Sequence, residues 1–438
     1  MRRWNERWHV KYKKHSLINQ VCEYTNLEEA FKAVKANQGA PGIDGVTIEQ
    51  FEQQLEQNLR EIQRQLKERR YSPQPVKRVY IPKANGGQRP LGIPTVRDRV
   101  VQQTLKNILE PIFEPIFLNG SYGYRPGKSA MQAVARAAGI VGRGYWWVVD
   151  ADIKGFFDNV DHEILLDLVN EQVSDGTVLK LIRRFLESGV LKGDTLEETP
   201  TGTPQGGVIS PLLANIMLNH LDRRLGEEGY ILTRYADDFL IHCMTENGAR
   251  KALARTTEIL EKELHLKLSP EKTSIRPIRQ GVDFLGYNIS MTNRIVLKPS
   301  QKANEHFRDA VRGKTVRAYT VSLAKTIQNL VPTMRGWGNY FQLTTYIYPI
   351  NMMDSWVRRR LRACALRRRM ATAENYKYSN AYFENLGHVT LVSLWNDERG
   401  VPPPKRVGGS KRRGGPSLVG MTDIRPRAVY GNTVRTVL

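Results

Sequence analysis

The 438 residues carry 66 Lys and Arg against 44 Asp and Glu, a formal net charge of +22, with 40% apolar residues. That length suffices for two or three domains with ample cores, and the charge points to a polyanionic partner, nucleic acid or an anionic membrane surface. No apolar run approaches the ~20 residues that span a bilayer, Met1-Arg2-Arg3-Trp4-Asn5 leads into no signal-peptide core, and the scattered Cys22, Cys243 and Cys364 form no paired metal-ligand pattern. The expectation is therefore free thiols, no structural zinc, no membrane partner, a reducing cytoplasm, and nucleic acid as the favoured partner.

Arg2, Arg3, Trp4, Arg7, Trp8, Lys11, Lys13 and Lys14 make a basic and aromatic start. It reads as a solvated arm or as one that grips phosphates and stacks on bases, and the whole-chain charge favours the second. Asn26-Leu27-Glu28-Glu29 has the pattern of an N-cap with a capping-box acid and predicts a helix through Val34. After the turn-rich Gly39 to Gly45, residues Ile48, Phe51, Leu55, Leu59, Ile62 and Leu66 recur at three- and four-residue steps, the stripe of an amphipathic helix. Val79-Tyr80-Ile81 and Leu91-Gly92-Ile93 read as strands around a glycine turn, with Lys83 and Arg89 placed to fold over a triphosphate. Arg97 opens a further helix. Ser121 to Ser129 lacks the spacing of a phosphate loop; its aromatic and basic residues suit contact with a nucleic-acid strand.

Tyr145 to Ile153 reads as a buried strand ending in acids, followed by Lys154-Gly155-Phe156-Phe157-Asp158. Asp152 is the candidate site acid, with Asp150, Asp158 and Asp161 assigned to structural or solvated roles. Thr203-Pro204-Gln205-Gly206-Gly207 is a loop entering a helix, where glycines let a ligand approach and Gln205 can bond a sugar or base edge. Ile231 to Arg234 and Phe239 to Ile241 flank Tyr235-Ala236-Asp237-Asp238, a predicted hairpin with adjacent acids at its tip. Such acids repel each other, and divalent metal ions are the usual reason to keep them; an acidic turn is the plain alternative. Beyond a helix from Arg250 to Leu264, the turn Leu268 to Thr273 exposes Lys272, and Val282 to Ile289 forms a strand pair or edge. Residues 300–385 read as helices rich in cations, with seven arginines between 358 and 369. A solvated basic face would explain them, but they would repel one another without a polyanion. After Gly387 comes one short apolar run, Val389 to Trp395, and then a Pro/Gly/Lys/Arg-rich tail through Pro402-Pro403-Pro404 and Gly408 to Gly415 whose DNA-binding role rests on charge alone.

Acids on two separated elements, a basic hairpin and a glycine-rich loop make a polymerase-like set. Two Mg²⁺ about 3.5–4 Å apart would lower the pKa of a primer 3′-hydroxyl and stabilise leaving pyrophosphate. At residues 25–385 the sequence resembles group II intron-encoded reverse transcriptases, also called maturases. The resemblance rests on Gly42-Ile43-Asp44-Gly45, Ile81-Pro82-Lys83, Arg89-Pro90-Leu91-Gly92-Ile93-Pro94, Tyr122-Gly123-Tyr124-Arg125-Pro126 and Asp152 to Asp158. It continues through Thr203-Pro204-Gln205-Gly206, Tyr235-Ala236-Asp237-Asp238 and Phe284-Leu285-Gly286-Tyr287. Arg335-Gly336-Trp337-Gly338-Asn339-Tyr340-Phe341 looks like the maturase thumb signature.

The resemblance implies an α+β right-hand polymerase fold, fingers and palm, followed by an α-helical thumb or maturase domain and a basic tail. The expected divisions are 1–75 (N-terminal extension and start of fingers), 76–290 (fingers and palm), 291–385 (thumb) and 386–438 (tail). It implies Asp152, Ile153, Asp237 and Asp238 at two Mg²⁺ ions, with Mn²⁺ as the substitute, and Lys272 protonating pyrophosphate. Lys83, Arg89, Phe156, Phe157 and Gln205 would contact the dNTP, Phe157 or its neighbour Phe156 excluding a 2′-hydroxyl. Arg125, Arg335, Trp337, Arg358, Arg359, Arg360, Arg367, Arg368 and Arg369 would contact nucleic acid. Implied partners are group II intron RNA, an RNA template with DNA or RNA primer, target DNA and dNTPs, in a bacterial-type, nucleoid-associated cytoplasmic setting. The cysteine and histidine pattern of the endonuclease domain is absent, as in members lacking it. A splicing-only RNA-binding protein and a relative recruited to host defence or repair are the alternatives; the intact acids argue against the first and the thumb signature against the second.

Overall fold

The computed structural model describes residues 14, 16–82, 87–192, 195–197, 200–203, 206–316, 321–366, 378–397 and 399. The first arm residues, Lys83, Gln205, Arg367, Arg368, Arg369 and the tail from residue 400 lie outside the described residues. The chain divides into two compact units, Met1–His306 and Phe307–Leu438.

The first unit opens with α1 (Leu17–Val21), α2 (Tyr24–Ala36), α3 (Ile48–Gln53) and α4 (Leu55–Lys67). The stripe from Ile48 to Leu66 is buried at Ile48, Phe51, Leu59, Ile62 and Leu66, but the backbone breaks at Gln54, so one expected helix is two. α2 begins before Asn26, not at it. The Asn26 Nδ2 donates to the Gln20 and Thr104 carbonyls and its Oδ1 accepts from Asn107. A side chain held in tertiary bonds cannot cap its own helix.

The chain continues through β1 (Val76–Pro82), β2 (Gln88–Ile93), α5 (Val96–Phe113), α6 (Ala130–Val141), β3 (Trp147–Asp152), α7 (His162–Asn170) and α8 (Gly176–Leu186). Then come β4 (Val190–Lys192), β5 (Thr195–Glu197), α9 (Ser210–Glu227), β6 (Ile231–Tyr235) and β7 (Asp238–Cys243). The unit closes with α10 (Glu246–Glu263), β8 (Ser274–Pro277), β9 (Val282–Phe284), β10 (Tyr287–Met291) and β11 (Ile295–Pro299). Three sheets result, ordered β2-β1-β4-β5, β6-β7-β3-β8 and β11-β10-β9. In the second of these, residues Phe239 to Cys243 and Val148 and Val149 are all buried. The near-continuous apolar runs of these two strands are what a central strand needs. Because β6, β3 and β8 all run antiparallel to their neighbours, the chemistry of β3 and β7 meets at one edge: Asp152 lies opposite Asp238.

The second unit is helical. After α11 (Gln301–Lys314) come α12 (Leu323–Tyr340), α13 (Tyr348–Ala365), α14 (Asn380–Asn385) and α15 (Leu391–Asp397). Its core gathers Phe307, Val311, Ile327, Leu330, Met334, Met353, Val357, Leu361 and Phe383. The segment 387–397, expected to open the tail, belongs to this core instead. Asp354, fully buried on α13, accepts from the N–H groups of Leu391 (2.8 Å) and Val392 (2.9 Å) at the start of α15, a carboxylate at the positive end of a helix.

His242 on β7 is 2% exposed, with Nε2 at 3.1 Å from Thr233 Oγ1. Burial first, then Arg136 and Arg143, push its pKa down from 6.5 to about 3. The unfolded chain therefore binds this proton first as pH falls, and stability declines from about pH 6.5 toward 3 by up to ~1.4 kcal/mol per pH unit. Urea unfolding across that window should show a shallower decline for His242→Gln than for the parent.

Candidate active site

The hairpin of β6 and β7 turns at Ala236 and Asp237, with Tyr235 paired to Asp238. Ala236 takes φ 57°, the left-handed conformation that lets two residues reverse the chain. Three acids from two strands thus share one edge: Asp152 at the end of β3, Asp238 opposite it, and Asp237 at the tip, all half-buried. Asp150, two residues back on β3, is half-buried too. Its charge is the leading one felt by Asp238. Strand alternation explains this: residues two apart on β3 share a face.

Burial first, and then Asp150, Asp237 and Asp152, push the Asp238 carboxyl up to about 7. Asp150 rises to about 6 through burial, opposed by Arg276 and reinforced by Asp283 and Asp152. Asp237 is also raised, by burial and Asp152, against the pull of Arg89 and Lys272. Acids that raise one another favour a further positive charge beside them, and hard carboxylate oxygens are the donors that Mg²⁺ takes. The donor set therefore fits a divalent cation, although no group of three or more His, Cys, Asp or Glu among the described residues is drawn together as ligands of one ion. Ile153, 2% exposed, could face such an ion only with its backbone.

One cation is already present. Lys272 Nζ lies 2.9 Å from Asp152 Oδ2, and this bond holds the ammonium above its ordinary pKa. The turn carrying it is tied to β3, since the Ser269 N–H donates to the Asp152 carbonyl (2.8 Å). Arg89, exposed on β2, is close enough to act on both Asp237 and Tyr124. Tyr124 is a residue that the spacing of acids and bases did not single out. It is 47% exposed, stands at φ 59°, and feels the charge of Asp237. A non-glycine residue held left-handed beside an acid cluster is the kind of strain that collects at functional sites.

Phe156 and Phe157 follow β3 in a 3₁₀ turn, both buried, their rings edge-on at 5.2 Å. The glycine-rich loop rests on them: the Thr203 N–H donates to the Phe157 carbonyl (2.7 Å). Its other end is fixed by Gln102 Oε1, which accepts from the Val208 N–H (2.7 Å). Gly206 sits at φ 116°, and a Cβ there would overlap the Gly92 carbonyl of β2. The aromatic turn, the basic hairpin and the loop therefore border one another.

One expected nucleic-acid contact is corrected. Arg125 is buried: its Nε and Nη2 grip Glu114 at 2.8–3.0 Å and its Nη1 donates to the Leu118 and Ser121 carbonyls. A guanidinium so engaged has no donor left for phosphate. In the helical unit, Trp337 packs between Phe307 and Phe341 at 4.8 and 4.7 Å. Arg358, its side chain 15% exposed, lies 3.7 Å from the buried Asp354, and Arg360 donates to Thr315 Oγ1 and its carbonyl. Arg335 and Arg359 are exposed.

Residues 81–289 match the family described as reverse transcriptase (RNA-dependent DNA polymerase), and residues 304–383 match the group II intron, maturase-specific domain. The chain is similar to Protein YkfC of Escherichia coli (strain K12), 31% identical over 350 residues that cover 70% of this chain and 90% of that protein. It is also similar to the group II intron-encoded protein LtrA of Lactococcus lactis subsp. cremoris, 34% identical over 349 residues, 63% of this chain and 57% of LtrA. It thus spans most of the first relative and little more than half of the second.

Arg125→Met should lower folding stability by about 3 kcal/mol, because it strands a partly buried carboxylate. Arg335→Ala should stay within about 0.5 kcal/mol of the parent. Denaturant melts of the two variants compare these roles directly.

Proposed function

Because this chain belongs to the group II intron-encoded reverse transcriptases and maturases, we propose that its acidic hairpin is where an RNA template is copied into DNA. The enzyme is an RNA-directed DNA polymerase that carries an intron-RNA-binding domain. One observation carries the site assignment: Asp152 and Asp238 lie opposite each other across β3 and β7, with Asp237 at the adjoining tip. Asp152, Asp237 and Asp238, with the Ile153 backbone, would hold divalent ions, Mg²⁺ by preference. When bound, these ions supply the charge that activates a primer hydroxyl and stabilises pyrophosphate.

The chain's own residues do the rest. Arg89 presents a guanidinium beside the acids for the dNTP triphosphate, and Lys83, the residue after β1 in the sequence, would join it. Lys272, whose ammonium is held above its ordinary pKa by its bond to Asp152, can give its proton to departing pyrophosphate. Phe157, or its neighbour Phe156, makes the hydrophobic wall for the sugar, and Thr203, two residues before Gln205 in the sequence, is bound to the Phe157 carbonyl. The substrates are an RNA template, a DNA or RNA primer and dNTPs. The RNA bound for splicing is the parent intron, and target DNA is the acceptor in retrotransposition, in the cytoplasm at the nucleoid. Among the described residues no helix is long and apolar enough to cross a membrane.

Primer extension on an RNA template with dNTPs and Mg²⁺ should give product with the parent and none with Asp237→Asn, while both bind RNA within about two-fold of each other. Loss of RNA affinity together with synthesis in that variant would sink the separation of roles. In the helical unit, Arg359→Gln should reduce the slope of log affinity against log salt by about 0.7. Arg358→Gln, whose side chain supports Asp354, should show itself instead as a lower melting temperature.

A further inference from the structure

The backbone of the acidic turn is held from beneath by one arginine. Arg234, the last but one residue of β6, has a side chain with 0% exposure. Its Nε donates to Asp222 Oδ1 at 2.8 Å and its Nη2 to Asp222 Oδ2 at 2.6 Å. Its Nη1 donates both to Asn215 Oδ1 and to the Ala236 carbonyl, each at 3.0 Å. Asp222 and Asn215 stand on the buried face of α9. Asn215 reaches onward, its Nδ2 donating to the Gly123 carbonyl at 2.8 Å.

The loop before α6 closes the same arrangement from the other side. The Arg234 N–H donates to the Gly120 carbonyl (2.8 Å) and the Arg234 carbonyl accepts from the Tyr122 N–H (2.9 Å). Gly123 lies so close to the turn that a Cβ on it would overlap the Ala236 nitrogen. Ala236 is the residue kept at φ 57°, a conformation that an alanine leaves unless its surroundings over-determine it.

We propose that Arg234 is the positioning residue of the polymerase site: gripped by Asp222 and Asn215, it fixes the Ala236 carbonyl and so sets where Asp237 and Asp238 project. Gly123 is the facing jaw of this clamp. The inference rests on the polymerase reading above. A buried ion pair is a poor source of stability, since apolar residues of similar volume often replace one without loss. What apolar residues cannot replace is the donor aimed at Ala236. Lysine cannot serve either, because its point charge has no planar fork to span a carboxylate, an amide and a carbonyl at once. The clamp also joins the turn to the segment that presents Tyr124, so one network places residues from three parts of the chain.

The test uses the full chain with an RNA template and primer, and compares the parent, the double variant Arg234→Met with Asp222→Leu, and Gly123→Ala. Two readouts are taken: kcat and KM for dNTP, and the rise in melting temperature produced by Mg²⁺ without template or dNTP. The double variant should melt cooperatively near the parent temperature yet lose at least 100-fold in kcat, with KM within three-fold. Its Mg²⁺-induced shift should need at least five-fold more Mg²⁺. Gly123→Ala keeps the ion pair and should lose kcat in the same way. Parental kcat in a folded double variant, or in Gly123→Ala, would overturn the clamp. A parent that makes no DNA would count against the polymerase reading, and the Mg²⁺ shift would still decide: an unchanged shift in both variants overturns the clamp, and a weakened one supports it.

Discussion

Like charges on neighbouring strands repel, and the edge of the central sheet brings Asp152, Asp238, Asp237 and Asp150 within reach of one another. At the effective dielectric of a half-buried site, two such charges a few ångströms apart cost several kcal/mol if both ionise. Much of the surrounding architecture answers that cost. The apolar strands β3 and β7 supply the burial that keeps the acids in place, Lys272 lies on Asp152, and Arg89 lends its charge to Asp237. A half-compensated acidic edge is an electrostatic well for cations, which is the property a nucleotidyl-transfer site requires.

Holding such an edge is as demanding as building it. A turn that bears two adjacent acids gains by swinging one of them into solvent, and only its backbone contacts prevent this. Here the left-handed Ala236 is tied to Arg234 and backed by Gly123, and the turn carrying Lys272 is tied to the Asp152 carbonyl. The same logic runs through the glycine-rich loop, where Gly206 lets the backbone meet β2 at a distance that any side chain would forbid. Precise chemistry is placed by backbone-to-backbone approach and by guanidinium forks, not by the side chains that carry the charge.

The large positive charge divides into two populations that composition cannot tell apart. Arg125, Arg234, Arg358 and Arg360 are spent inside the fold, each on a carboxylate or a carbonyl. Moving one of them to a phosphate would leave a desolvated acceptor behind, which costs more than the new contact returns. Arg335 and Arg359 lie at the surface, where a phosphate can replace water at little cost.

Local pattern alone established much of this protein. The strand β3, the hairpin with its acidic tip, the basic hairpin and the helical character of the second unit follow from side-chain period and turn chemistry, which act over a few residues; the grouping of Asp152 with Asp237 and Asp238, far apart in the chain, rests on the resemblance carried by the ordered motifs. The ordered motifs identified the family in the same way. Tertiary structure alone decided the break at Gln54, the burial of Asn26, the return of residues 387–397 into the helical core and the membership of Asp150 in the acid group. It alone separated structural arginines from exposed ones, since the partner of Arg125 is eleven residues away and that of Arg234 twelve, on other elements. An arginine looks the same in sequence whether it faces a phosphate or a buried carboxylate; the difference lies in which groups the folded chain desolvates together.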